Sequence, residues 1–364
     1  MTDSLRDTLP AAHRHLLPEV YDRPAVVETR ATCGDCAMCP KGDRTPGAAD
    51  VFFRPDLKCC TYHPTLPNFL VGAILADDSP EMSEGKRRVE ERIARRIGVT
   101  PQWLAPPRKQ RVLLEAARGT SFGRSKALLC PYFDGEGGGL CTVWRHRESV
   151  CSTFFCKHDA GAVGDAFWMA NKQFLGTVEL ALSRHAAQAV SPDVTEPRIP
   201  RLKLTIEDLE DRPPNEDDYA GYWGEWVGRE ADFYRACHAH VQAMTAADLT
   251  RLLDEPDEPH GPERLAELVR RHDTLASSAI AARLVPNPKM RTTTLPGGVG
   301  VTTYSLFDAM CLTPDLFEVV RQFRADETVA ETRARLAREH DVEIPDALLL
   351  SLQQHEILVP PDAG

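Results

Sequence analysis

Eleven cysteines occur in 364 residues, and nine of them fall in two groups within the first 156. The first group is Cys33, Cys36 and Cys39 in CGDCAMC, followed by the adjacent pair Cys59 and Cys60. The second is Cys130, Cys141, Cys151 and Cys156, four cysteines in 27 residues separated by ten, nine and four others. Thiolates select zinc or iron–sulfur clusters over hard cations. The C-x2-C-x2-C run of CGDCAMC lets successive thiolates turn toward one centre, with a fourth ligand supplied from elsewhere in the chain. Cys59 or Cys60 could supply it. A structural zinc site favours paired C-x2-C knuckles. The second group has none, and its wide spacing suits the larger iron–sulfur cubane. Nine cysteines also cover the eight that two [4Fe–4S] clusters need.

The expectation is therefore an iron–sulfur protein with one or two [4Fe–4S] clusters, and zinc is the alternative. The simplest pairing gives one site to Cys33, Cys36, Cys39 and one of Cys59 or Cys60. The other site then takes Cys130, Cys141, Cys151 and Cys156. A mixed arrangement fits the spacing equally well. Two adjacent thiols do not easily ligate one metal together, so either Cys59 or Cys60 is a candidate redox thiol or ligand of an open iron. His63 reads as a polar loop residue rather than a ligand.

The stretch CPYFD…GLCTVWRHRESVCSTFFC resembles the core motif of the YkgJ-type cysteine-cluster family, a zinc- or iron-chelating domain. That pattern runs Cys-Pro-Phe-Leu, a short loop, Cys-Ser-Ile-Tyr, five residues including Arg-Pro, then Cys-Arg-x-Phe-x-Cys. Cys130, Cys141, Cys151 and Cys156 fall on its four cysteines, Trp144 on the tyrosine and Arg147 on the arginine. Glu148 stands where proline is usual and Ser152 where arginine is usual, and CGDCAMC replaces an N-terminal pattern ending in Cys-Cys. The match covers about residues 30–160. It implies metal binding. Flagellin lysine N-methylases carry a similar cluster, so the resemblance also gives precedent for an iron–sulfur oxidoreductase or a protein- or peptide-modifying enzyme. A peptide or protein substrate, or a redox partner, would go with such a role.

Composition narrows the classes. A net charge of −11 disfavours non-specific nucleic-acid binding. The longest apolar run, FLVGAILA at 69–76, is far short of a membrane span. The opening MTDSLRDTLP has acids where an export signal needs a basic end and an apolar stretch. A reducing, cytoplasmic setting is expected, and an odd number of cysteines argues against a disulfide framework. No Walker loop, G-x-G-x-x-G, H-E-x-x-H or G-x-S-x-G motif is present.

The elements that must position the cysteines read as mainly α with short β elements, an α+β class. Three regions are expected: an irregular cysteine-rich domain over 1–190, a linker and helical region over 191–288, and a winged-helix-like module over 289–364. Residues 1–30 read as an extended or loosely helical arm. The stretch 81–118 reads as helical, with Val89, Ile93 and Ile97 on one face and ten basic against five acidic residues. That patch is a solvated face or a site for an anion. A long helix is expected over about 162–187 with a stripe of Phe167, Ala170, Phe174 and Val178, then a linker over 191–216. Tyr222, Trp226, Phe233 and Cys237 read as core, and Cys237 and Cys311 as buried, inert thiols. KMRTTTLPGGVGVTTYS reads as a hairpin. Thr313 and Pro314 open a helix as N-cap and N1. Two further helices and a closing strand follow. This order resembles a small PqqD-like winged helix, which implies either peptide holding or plain structural capping. PDALLLSLQQHE has no lysine or arginine, so DNA reading is disfavoured.

Overall fold

A computed structural model describes residues 3–40, 53–116, 121–197, 205–255 and 260–361. The chain is mainly α with short β elements. It opens not with an arm but with three 3₁₀ turns, Leu5–Thr8, Arg14–Leu16 and Glu19–Asp22. Leu5, Leu16, Leu17 and Tyr21 are buried, and the Tyr21 hydroxyl donates to Asn171 at 2.7 Å. Burial of these apolar side chains overrides the extended bias of Pro10, Pro18 and Pro24.

Strand β1 (Leu66–Pro67) leads into α1 (Asn68–Ala76), α2 (Ser83–Arg95), β2 (Trp103–Leu104) and α3 (Arg108–Ala116), with β1 and β2 antiparallel. The expected helical stretch is thus two helices, and its last residues, 117–118, lie outside the described residues. Arg96 ends α2 in the left-handed conformation, φ 58°. Strands β3 (Phe133–Asp134) and β4 (Leu140–Cys141) form a small hairpin, then come α4 (Ser149–Thr153) and α5 (Gly161–Val190). Of the expected linker, 198–204 lies outside the described residues, and the rest carries α6 (Ile206–Leu209). Helices α7 (Glu216–Trp223), α8 (Glu230–Ala243), α9 (Ala246–Leu253) and α10 (Gly261–Ala276) complete the middle.

The last part is β5 (Val285–Pro286), β6 (Arg291–Leu295), β7 (Gly298–Thr302), β8 (Met310–Leu312), α11 (Pro314–Arg321), α12 (Val329–His340), α13 (Asp346–Gln354) and β9 (Leu358–Val359). Strands β6, β7 and β8 make a three-stranded antiparallel sheet, and β5 pairs with β9. Thr313 caps α11 by accepting from the Leu316 amide at 3.2 Å, as its Thr-Pro start predicts.

The chain divides into two compact units. Unit 1 is Met1–Val27, Phe53–Phe154 and Asn171–Ala266, and unit 2 is Glu28–Phe52, Phe155–Ala170 and Glu267–Gly364. In unit 1 the core is α1 against α8. Helix α1 is apolar on every side and is buried from Asn68 to Leu75. Gly72 permits the contact, because a Cβ there would stand 2.0 Å from the Tyr234 carbonyl oxygen. Trp223, Phe233 and Tyr234 pack edge to face beside it, at 5.4 and 5.7 Å from Trp223. Tyr222 and Trp226, expected in this core, are only half-buried. Helix α7, which ends at Gly224 with φ 56°, buries Tyr219 and Trp223 instead. Cys237 is buried. In unit 2 the core gathers Val301, Leu312, Val320, Leu336, Leu349 and Leu358. Cys311 is exposed, not buried: on β8 it alternates with the buried Leu312 and so faces the other side of the sheet. Among the described residues no helix is long and apolar enough to cross a membrane.

Candidate metal centre

Five of the nine clustered cysteines lie in unit 1. The turn carrying Cys59 and Cys60 closes with the Cys60 amide donating to the Leu57 carbonyl at 3.1 Å. It is joined directly to the second group, because the Cys130 amide donates to the Cys60 carbonyl at 2.8 Å. From Cys130 the chain turns into β3, where Phe133 sits opposite Cys141 of β4. The Thr142 amide donates to the Tyr132 carbonyl at 2.8 Å and continues the pairing. The glycine-rich DGEGGG loop between the strands is ordered by Asp134, whose carboxylate accepts from the Gly137 amide at 3.0 Å. Lys58 reaches over to donate to the Gly139 carbonyl at 2.7 Å. Main-chain bonds therefore set Cys60, Cys130 and Cys141 side by side.

Helix α2 braces this hairpin from outside. Gly85 lets it approach, since a Cβ there would lie 2.2 Å from the Thr142 carbonyl oxygen. Arg88 donates to the carbonyls of Pro131 and Phe133 at 2.9 and 2.8 Å. Arg92 donates to the Tyr132 hydroxyl at 2.8 Å. Lys86, Arg87 and Arg96 pair with Asp78, Glu84 and Glu216. Much of the basic stretch is thus engaged with this chain's own carboxylates and carbonyls.

Cys151 is positioned by a different device. Glu148 is the N-cap of α4, its carboxylate accepting from the Val150 and Cys151 amides at 2.7 and 3.0 Å. Arg147, which the family resemblance singles out, lies over the Trp144 ring, 3.2 Å from its centroid, and donates to the Cys151 carbonyl at 3.3 Å. The two motif residues thus touch each other and hold the helix that carries the thiol.

Electrostatics links several of these thiols. Cys59 is held well above the ordinary thiol range by its hydrogen bond with Cys60 and by burial. Burial, the neighbouring Cys141 and, more weakly, Cys59 push Cys130 up to about 12. Cys151 is pushed well above the usual range by burial, by Glu148, and by Cys130 and Cys141. Cys59, Cys130 and Cys151 thus each feel the charge of another thiol, so ionising them is opposed unless a cation is present. Burial also raises Glu148 and, with the charge of Glu148, Glu179.

Some of this surrounding was not legible as function. His63, expected as a polar loop residue, is buried, its Nε2 has no hydrogen-bond partner, and its ring meets Tyr132 edge to face at 6.3 Å. The signal for it was its place between two buried segments, three residues after Cys60. Glu179 was hidden in the apolar pattern of α5.

The other four cysteines lie in unit 2. CGDCAMC forms a turn in which the Cys39 amide donates to the Cys36 carbonyl at 3.1 Å. Cys33 is exposed, and Cys36, Cys39 and Cys156 are half-buried. No cysteine is joined in a disulfide.

The donor set fits a thiophilic metal in kind and in number. Among the described residues, no group of three or more His, Cys, Asp or Glu side chains converges as a closed coordination sphere. Main chain and burial gather the donors by segment without bringing the sulfurs onto one point. No family model, curated protein or solved structure matches the chain.

Proposed function

We propose that this chain binds metal clusters through its cysteines, as an iron–sulfur protein with one or two [4Fe–4S] centres. The observation that carries the reading is the assembly of Cys59, Cys60, Cys130, Cys141 and Cys151 in one unit, where Cys59, Cys130 and Cys151 each feel a neighbouring thiol's charge. Buried thiols that raise one another's pKa cost stability as thiolates, and an inserted cation reverses that cost. The resemblance of the Cys130–Cys156 segment to the YkgJ-type family supports the same reading. When bound, such clusters supply one-electron redox chemistry or an iron that binds substrate. The residues of this chain would hold the cluster, shield it and set its surroundings: Arg147 and Glu148 fix Cys151, and Arg88 and Arg92 fix the Cys130 loop.

The role is redox or peptide- and protein-modifying, in a reducing cytoplasmic setting, with a peptide or protein substrate or a redox partner. The test is metal, sulfide and zinc analysis of anaerobically isolated protein together with its visible spectrum. Iron and sulfide in equal amounts, in multiples of four per chain, support the reading. One or two zincs with no sulfide, even after anaerobic reconstitution, would replace it with a zinc-stapled interaction protein.

A further inference from the structure

We infer that the cysteines are partitioned by unit: Cys33, Cys36, Cys39 and Cys156 hold one metal centre, and Cys130, Cys141 and Cys151 with Cys59 or Cys60 hold another. The inference rests on the metal-binding reading and assigns its ligand sets. Sequence proximity points elsewhere, since Cys156 is five positions from Cys151 and 117 from Cys39. The boundary between the units, however, falls between Phe154 and Phe155, and so separates Cys151 from Cys156.

Within unit 2 a web of polar bonds around the buried Asp308 stitches the segment before CGDCAMC to the segment after Cys156. The Asp308 side chain, fully buried, accepts from Arg30 at 3.0 Å, from the His158 amide at 3.1 Å and from the Tyr304 hydroxyl. Lys157 stands 3.8 Å from its other oxygen. Arg30 also donates to the His158 carbonyl. One position along, the amide and hydroxyl of Thr29 donate to Asp159 at 2.9 and 2.8 Å. Beside them Glu28 accepts from the Asp159 amide and the Trp168 indole. Residues 28–30 are thus bonded to residues 158 and 159. Cys156 adjoins Lys157, and Cys33 follows Arg30 by three residues, roughly 11 Å of chain at most. An exposed tether would not need a fully buried carboxylate bonded to both cysteine-bearing segments. Such a web holds two chain segments in fixed register, as a site with ligands from both requires. The resulting set is a C-x2-C-x2-C run with one distant fourth cysteine, a complete complement for one [4Fe–4S] cluster or one zinc. Unit 1 keeps five thiols for four positions, which leaves one of the adjacent Cys59 and Cys60 spare.

The test uses the full chain, reconstituted anaerobically with ferrous iron and sulfide or with zinc. Metal per chain is measured for Cys36→Ala, Cys156→Ala, Cys130→Ala and their pairwise combinations, with circular dichroism as the check on folding. Cys36→Ala and Cys156→Ala should each lose the same half of the metal, and their combination no more than either alone. Cys36→Ala with Cys130→Ala should lose nearly all of it. Asp308→Asn should weaken retention of the unit 2 half only. The partition is overturned if Cys156→Ala is redundant with Cys130→Ala and adds to Cys36→Ala.

Should these variants fail to fold, the wild-type protein decides by alkylation during slow chelation, with each cysteine followed by mass spectrometry. Cys33, Cys36, Cys39 and Cys156 should be unmasked at one common rate, and Cys130, Cys141 and Cys151 at another. Unmasking of Cys156 in step with Cys151 overturns the partition while leaving metal binding intact. Wild-type protein that takes up neither metal removes the metal-binding reading itself, and the partition with it.

Discussion

Main chain gathers Cys60, Cys130 and Cys141 of unit 1, whereas side chains secure the flanks of the cysteines in unit 2. In the first, the Cys130 amide bonds to the Cys60 carbonyl and Phe133 pairs with Cys141, so three thiols follow from backbone register. In the second, CGDCAMC is a short turn, and its link to Cys156 runs through Asp308, Arg30 and Thr29. The thiols of the first include the buried Cys130, and those of the second include the exposed Cys33. A backbone-built site depends on hairpin and helix packing. A side-chain-built site depends on a few buried charges. The unit 1 set should be the more protected and the unit 2 set the more readily oxidised.

Three perturbations sharpen this contrast. The largest effect is expected from acid. Burial holds His13 down at about 4, and His63 and His146 are lowered by the same cause. A histidine lowered in the folded state binds its proton first in the unfolded chain, so stability is lost as pH falls below 6.5 toward the folded value. For His13 alone the difference is worth about 3 kcal/mol. Denaturant melts of His13→Leu, which keeps an apolar contact with Phe69, should therefore lose about that much less than wild type between pH 6.5 and 4. Parallel curves would show that His13 is not the group responsible.

Next comes the bracing of the unit 1 hairpin. Gly85→Ala puts a Cβ against the Thr142 carbonyl and should destabilise by roughly 1–3 kcal/mol. It should also lower the metal held by Cys130 and Cys141. In α5, Gly176→Ala meets only the Ser149 hydroxyl at 3.6 Å, and should be neutral or stabilising by up to about 1 kcal/mol. Chemical melts of the two variants side by side separate close approach from ordinary helix propensity. Equal effects would mean that Gly85 is not a contact point.

The smallest effect is at the cap of α4. Glu148→Ala removes the acceptor of two amides and should cost about 1 kcal/mol. Burial raises Glu148, so the wild-type carboxyl favours the folded state at low pH and loses that contribution as pH rises above 4.5. The cost of Glu148→Ala should accordingly be greater at pH 4 than at pH 8. A cost that grows with pH instead would assign the carboxylate, not the acid, as the stabilising form.

Legibility in the sequence followed the range of the interactions. Local signals carried well: the Leu295–Gly298 hairpin, the Thr313 cap and the Phe167–Val178 stripe all depend on neighbours a few residues away. A loosely helical start was legible, but its packing was not, because burial of Leu5, Leu16 and Tyr21 in unit 1 is reported by no local periodicity. The break after α2 was missed because Arg96 takes the left-handed conformation that the basic composition gave no reason to expect. Around the cysteines, the ligand types were legible and their supports were not. Glu148 looked like a departure from the family's proline, yet it caps the helix bearing Cys151. Asp308 lies 152 residues beyond Cys156, in an unremarkable FDAM, and only folding shows it bonded to both flanks of the unit 2 set.

Cluster binding is decided by the visible spectrum of protein purified without oxygen, with iron, sulfide and zinc determined on the same sample. A brown protein with a broad band at roughly 400 nm and equal iron and sulfide is expected. A colourless protein without sulfide, unchanged after anaerobic reconstitution, would contradict it.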